Sequence, residues 1–215
     1  MSQKSITYST IFVENKNEYM LTISHYYSYN AFFTWTAELA EKFETSGNDQ
    51  TEEQKKYTQL NYKRMERWNK TFQLSESLKL VLNNLKVEQT WVLITETWCG
   101  DSAQLLPGIA HIAEASGGKI KLKIILRDEN PDWINSYLTN GTKSVPKLIS
   151  FDTNGKELFV WGPRPEGAVE ILKEWKANPE TISKEQFHVN LHTWYGKDKG
   201  LGLQTEIEKI LLSLN

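Results

Sequence analysis

The spacing of apolar residues changes character along the chain. Two short β-prone runs, 6–13 and 19–24, flank the turn-like Glu14-Asn15-Lys16-Asn17 and predict a hairpin. Phe32, Trp35, Leu39 and Phe43 then recur at helical spacing, with a stop expected near Ser46-Gly47-Asn48. Thr51 followed by Gln54 has the form of a capping box and opens a second helix, whose stripe is Tyr57, Leu60, Met65, Trp68 and Phe72. Ser75 caps a third segment carrying Leu78, Leu82 and Leu85. The first part of the chain is therefore mainly helical, with a helical hairpin over 30–72.

From residue 90 the pattern alternates. Residues 91–95 form a continuous apolar run, the mark of a strand buried on both faces. A helix is expected over 100–115, ending at Gly117-Gly118, then a β-branched strand over 119–127. Asn130-Pro131 opens another helix, since proline suits a first turn. Strands at 147–151 and 158–161 are joined through Asp152-Thr153-Asn154-Gly155, a hairpin signal, and a helix follows over 166–176. This order predicts an α/β sheet with one parallel pair joined by a crossover and an antiparallel edge. The tail reads as a polar segment with His188 and His192, a glycine-rich loop (Gly196, Gly200, Gly202), and an amphipathic helix carrying Leu203, Ile207, Ile210, Leu211 and Leu214.

Composition narrows the function classes. Hydrophobic residues make up 39% and charged residues 24%, enough for a real core, and the net charge of −2 argues against nucleic-acid or anionic-membrane partners. No run approaches the roughly 20 apolar residues of a membrane span, and residues 1–8 lack the apolar stretch of a signal peptide, so a cytoplasmic protein is expected. A single cysteine excludes an internal disulfide. Eight tryptophans and nine tyrosines are expected to pack the core and a groove.

That cysteine, Cys99, stands where the apolar strand gives way to a helix, in Glu96-Thr97-Trp98-Cys99-Gly100-Asp101-Ser102. Unpaired N–H groups and the macrodipole at a helix start favour thiolate, and can lower a thiol pKa from about 8.5 to roughly 3.5–7.5. Ser102, one turn on, can donate to the sulfur; Glu96 and Asp101 oppose ionisation by like charge. Sequence leaves the balance open, as it leaves open a plain buried thiol. His188 and His192 have metal-like i, i+4 spacing but no third ligand nearby, so no metal site is expected. His111 lies too far along its helix to pair with Cys99. No phosphate loop, dinucleotide motif or serine-hydrolase elbow occurs, and no cofactor is expected.

Residues 90–176 resemble the thioredoxin fold. Trp98-Cys99-Gly100 resembles the family's Trp-Cys-Gly-Pro-Cys motif, and Pro107 occupies the place of its helix-kinking proline. Arg127-Asp128-Glu129-Asn130-Pro131 resembles its Asp-x-Asn-Pro segment, and Ser144-Val145-Pro146 its cis-proline signature facing the thiol. Gly155 and Gly162 match its hairpin glycine and the glycine beyond its last strand. The resemblance covers neither 1–74 nor 178–215; with the residue pattern it divides the chain into a mainly helical N-terminal extension (1–74), a thioredoxin-like domain (75–177) and a C-terminal helical tail packed on the domain (178–215). Within the superfamily the chain resembles cytosolic thioredoxin-like proteins with a helical N-terminal extension.

Three departures occur together. Ser102 replaces the resolving cysteine, Leu93 the family's buried acid, and Ile124 its lysine partner. Dithiol chemistry needs the second thiol. The residues therefore imply a monothiol oxidoreductase with Cys99 as nucleophile, Ser102 beside it, and a protein or peptide disulfide, or glutathione, as partner. The alternative is a non-enzymatic module keeping the groove at Val145 and Pro146 for strand addition. By analogy Asp128 would hold the Trp98 indole. Arg127 and Arg164 are candidate carboxylate binders at the rim, and Tyr62, Arg67 and Trp68 are candidates to close over the site.

Overall fold

The apolar run around residue 91 becomes the centre of the sheet. The structure, a computed structural model, describes residues 12–14, 20–23 and 25–214. β1 (Phe12–Glu14) pairs antiparallel with β2 (Met20–Thr22), so the expected hairpin is present in part; residues 6–11 lie outside the described residues. α1 (Tyr29–Lys42) starts at Ser28, whose Oγ accepts the Ala31 N–H. It ends at Phe43, in the left-handed region, a few residues before the expected stop. α2 (Glu52–Thr71) is capped by Thr51, but Gln54 turns its side chain to Asp49, so the capping box is one-sided. α3 (Glu76–Asn83) follows its Ser75 cap.

The main sheet comprises β3 (Gln89–Thr95), β4 (Ile120–Leu126), β5 (Lys147–Phe151) and β6 (Glu157–Trp161), in the order β4-β3-β5-β6. β3 and β4 are parallel, joined through α4 (Gly100–Ala115); β5 and β6 run antiparallel. α5 (Pro131–Ser136) and α6 (Glu166–Ala177) complete the α/β fold. Side chains alternate across the central strand. Trp91 and Leu93 face the larger core with Leu106, Ile109, Leu78 and Leu82; Val92 and Ile94 face a second layer with Ile149, Phe151 and Trp133.

The tail departs from expectation. Its polar, histidine-bearing segment is a helix, α7 (Lys184–Asp198), followed after the left-handed Lys199 and Gly200 by α8 (Leu201–Ser213). Polar residues dominate α7, yet Phe187, Leu191 and Tyr195, spaced by four, are buried in the larger core. Ser183 caps it by accepting the Gln186 N–H. Gly196 lies inside this helix rather than in a loop.

Register brings four connections to one edge. Thr95 ends β3 beside Leu126 at the end of β4, Lys147 begins β5 opposite Ile94, and Trp161 ends β6 opposite Leu148. The segments 96–99, 127–130, 143–146 and 162–164 therefore meet at the carboxyl end of the parallel pair, where open α/β sheets bind ligands.

Candidate functional site

Cys99 is the N-cap of α4, with its Sγ 3.5 Å from the Ser102 N–H. The segment bearing it is held from two sides. Asn61 of α2 donates to the Thr97 carbonyl at 2.9 Å, and the Thr97 hydroxyl meets those of Thr45, Thr58 and Ser46. Opposite, the Val145–Pro146 and Gly162–Pro163 peptide bonds are both cis. Gly162 has φ +106°, and a side chain there would begin 2.6 Å from the Pro146 carbonyl oxygen, so only glycine lets the two loops approach.

Cys99 is buried, 7% exposed, and its thiol donates to the Val145 carbonyl at 3.3 Å. Burial, with the Asp101 charge second, pushes its pKa up to about 11 against the opposing hydrogen bonds of residues 101 and 102. The balance left open by sequence thus falls on the protonated thiol. Ser102 is 2% exposed; its hydroxyl favours the thiolate, yet has no partner in hydrogen-bond geometry among the described residues.

Asp101 is not a solvated first-turn acid. Arg164 grips it through Nε (3.0 Å) and Nη2 (2.6 Å), and the Tyr195 hydroxyl donates to it at 2.8 Å. Arg164 therefore binds a carboxylate in the two-pronged way expected of it, but the carboxylate is internal. Glu96 points elsewhere: it accepts from the Ser46 hydroxyl and, at 2.9 Å, from the Asp128 N–H. Burial raises its pKa to about 7 despite those bonds.

Several expected contacts are corrected. The Asp128 carboxylate pairs with Arg127 at 2.7 Å rather than with the Trp98 indole, and the Arg127 guanidinium instead lies 4.6 Å from the Trp98 ring centre. The Val145 backbone, expected to be free for strand addition, accepts one hydrogen bond from the thiol at its carbonyl. Tyr62, Arg67 and Trp68 do not cover the site. Tyr62 packs on Phe33, while Arg67 and Trp68 both reach Gln104. α2 does wall the site, but through its first turns, at Glu53, Gln54 and Tyr57.

These groups line an open cavity of about 430 Å³ that includes Cys99 in its lining. Trp98, Gly100, Asp101, Arg127 and Val145 line it as expected, whereas Ser102, Pro146 and Asp128 stand behind the lining. Lys143, Lys184 and Leu191 line it without having been singled out from sequence. His188 and His192 line it too, but no group of three or more metal-ligating side chains occurs among the described residues. The signal for α7 was readable in Ser183-x-x-Gln186 and the spacing of Phe187, Leu191 and Tyr195; its position over Cys99 was not. His111 is partly buried and stacks on Phe72, away from the site. No helix among the described residues is long and apolar enough to cross a membrane.

A four-stranded mixed sheet with a thiol at the start of the helix after its central parallel strand defines a thioredoxin-like protein. Residues 47–176, more than half the chain, match the thioredoxin family profile, and the chain belongs to that family. It is 35% identical over 69 residues to thioredoxin 1 of Nostoc sp. and 30% identical over 69 residues to a thioredoxin of Synechocystis sp., in each case covering 32% of this chain and 62% of the relative. Over 73 residues it is 33% identical to chloroplastic thioredoxin M4 of Arabidopsis thaliana, covering 34% of this chain and 36% of that one. The chain thus spans less than two-thirds of the length of these relatives. A protein of unknown function from Pseudomonas aeruginosa shares the fold with a TM-score of 0.55 at 14% identity, over 73% of this chain and 86% of that one. An HIV epitope-scaffold shares it with a TM-score of 0.54 at 14% identity, over 86% and 98%.

Proposed function

We propose that this thioredoxin-family protein performs thiol–disulfide exchange with Cys99 as its sole nucleophile and an external thiol, such as glutathione, as resolving partner. The observation that carries this reading is the position of Cys99: at the N-cap of α4, in the lining of a cavity, in a chain with no second thiol. Cys99 loses its proton to solvent base, and its sulfur attacks one sulfur of a disulfide R–S–S–R′. The Cys99–S–R bond forms as R′S⁻ leaves and takes up a proton. The external thiolate then attacks the mixed disulfide, making a new small disulfide and restoring Cys99, so no net oxidant is consumed. Ser102 would donate to the thiolate, Trp98 packed under Arg127, itself held by Asp128, would shape one wall, and Gly100, Asp101, Val145 and Pro146 would frame the sulfur. An external thiol is abundant in a reducing compartment such as the cytoplasm.

A second reading, a non-enzymatic binding module, is favoured by the burial that keeps the thiol protonated. Incubation with oxidised glutathione, read by intact mass, separates the two. Exchange expects a glutathionyl adduct on Cys99 whose rate rises about tenfold per pH unit from neutrality towards the thiol pKa. A folded protein that forms no adduct even at about pH 10, where thiolate is abundant for an ordinary cysteine, leaves only the binding reading.

A further inference from the structure

Helix α7, in the C-terminal tail, forms one wall beside Cys99. We infer that the pocket takes small disulfides bearing carboxylates and rejects disulfides of folded proteins, a substrate class that rests on the exchange reading above. Three observations carry it.

The first is shape. α2 presents Glu53, Gln54 and Tyr57 on one side of Cys99, and α7 presents Lys184, His188 and His192 on the other. The 430 Å³ between them is within the range of small-ligand pockets. Cys99, a residue only 7% exposed in the lining between these two walls, is more accessible to a slender molecule than to a folded surface. α7 lies wholly beyond the residues that match the family, so this wall is added to the shared fold.

The second is charge. Although the chain carries a net −2, four cationic side chains line the pocket (Arg127, Lys143, Arg164 and Lys184); Asp128 and Asp101 match the two arginines, which leaves Lys143 and Lys184 against Glu53. Asp101 is already committed to Arg164 and Tyr195. Lys143 and Lys184 have no ion-pair partner among the described residues. They stand on different walls, one on the loop before β5 and the other in the first turn of α7. Such a placement concentrates anions at the thiol. Beside burial, nearby cations oppose protonation of both histidines: Lys184, Arg164 and Arg64 at His188, where Asp101 acts the other way, and Arg64, Arg164 and Arg67 at His192.

The third is a fixed set of neutral donors. Gln104 takes the Trp68 indole N–H on Oε1 at 2.6 Å, so its amide nitrogen faces His192 Nδ1 at 3.0 Å and can only donate. That assigns the Nε2–H tautomer to His192, whose Nε2 lies 3.3 Å from where a side chain on Gly100 would begin. The unpartnered Ser102 hydroxyl is a second donor beside the sulfur.

The lone thiol allows a direct test: alkylation of the folded protein by iodoacetate and by iodoacetamide, where the Sγ–carbon bond forms as iodide leaves and the thiol proton passes to solvent. The rate ratio, anionic over neutral reagent, is compared with that of free cysteine in the same buffer. The expected ratio exceeds the reference by about threefold or more. It falls towards the reference in the Lys143→Glu/Lys184→Glu double variant, and also on adding salt to the unaltered protein, which keeps the test independent of the variant's folding. A ratio at or below the reference, or one unmoved by both salt and charge reversal, overturns the inference while leaving exchange standing. Failure of the folded protein to react with either reagent overturns both. With natural disulfides, an adduct from oxidised glutathione and none from a folded disulfide-bonded protein supports the inference; capture of the protein alone overturns it.

Discussion

At the residue scale, the reactivity of Cys99 is a contest between burial and local hydrogen bonds, with Asp101 on the side of burial. Asp101 raises the thiol pKa by its own charge and also cancels the charge of Arg164, which would otherwise favour thiolate. Asp101→Asn keeps an oxygen for Tyr195 and removes both effects. The expected result is a fall of about one to two pH units in the Cys99 titration midpoint, and alkylation near neutrality faster by about tenfold or more. An unchanged or higher midpoint in the pH profile of iodoacetamide alkylation would show that the Asp101 charge does not govern the thiol. Trp98, Cys99, Gly100, Val145 and Pro146 were legible as a site because they sit in short motifs whose spacing survives in sequence. The partners of Asp101 were not, because Arg164 and Tyr195 are brought to it from distant loops and helices by packing alone.

At the scale of elements, most starts and stops follow local chemistry: Ser28, Thr51, Ser75 and Ser183 each cap the helix that begins after them. What local chemistry does not say is how closely two helices approach. α6 and α7 meet at Gly167, where an added Cβ would lie 2.5 Å from the Trp194 ring. Gly167→Ala must push the helices apart, and is expected to cost about 1–3 kcal/mol. Because α7 forms one wall of the pocket, the same variant is expected to expose Cys99 and speed its reaction with iodoacetamide. Denaturant unfolding and the alkylation rate, measured together, check both effects; a variant unchanged in each would mean that α7 is not positioned through this contact. α6 shows a related dependence: its Pro165 N-cap offers no side-chain cap, and the Glu166 N–H is instead accepted by Glu206 of α8 at 2.7 Å.

At the scale of the whole molecule, the join between the N-terminal helices and the sheet contains a buried acid. Glu96 is 1% exposed and titrates near 7 instead of its ordinary 4.5, with desolvation outweighing its bonds to Ser46 and Asp128. Between those values the folded protein keeps a proton that the unfolded chain releases. Stability from this group is therefore complete below about pH 4.5 and is lost as pH rises towards 7, by about 3 kcal/mol. Glu96→Gln is expected to match the unaltered protein at about pH 4.5 and to exceed its stability by up to that amount at about pH 8. His192, driven down to about 3 by burial, has the opposite pH dependence, but it is common to both proteins and cancels in the difference. Guanidinium unfolding at the two pH values checks it, and an equal difference at both would show that Glu96 ionises normally.

Sequence by itself determined the order of strands and helices, the parallel pair and its antiparallel edge, and the place of Cys99 at a helix start. These depend on periodicities, caps and turn residues that act over a few positions. Only the tertiary structure decided that the polar, histidine-bearing segment lies over the thiol, that Asp101 belongs to Arg164, and that burial keeps Cys99 protonated. Those outcomes depend on desolvation and on contacts between residues 60 or more positions apart in the chain, such as Asp101 with Arg164 and Tyr195. No local pattern encodes such distances, because they exist only once the sheet has brought its four loops to one edge and α7 has packed across them.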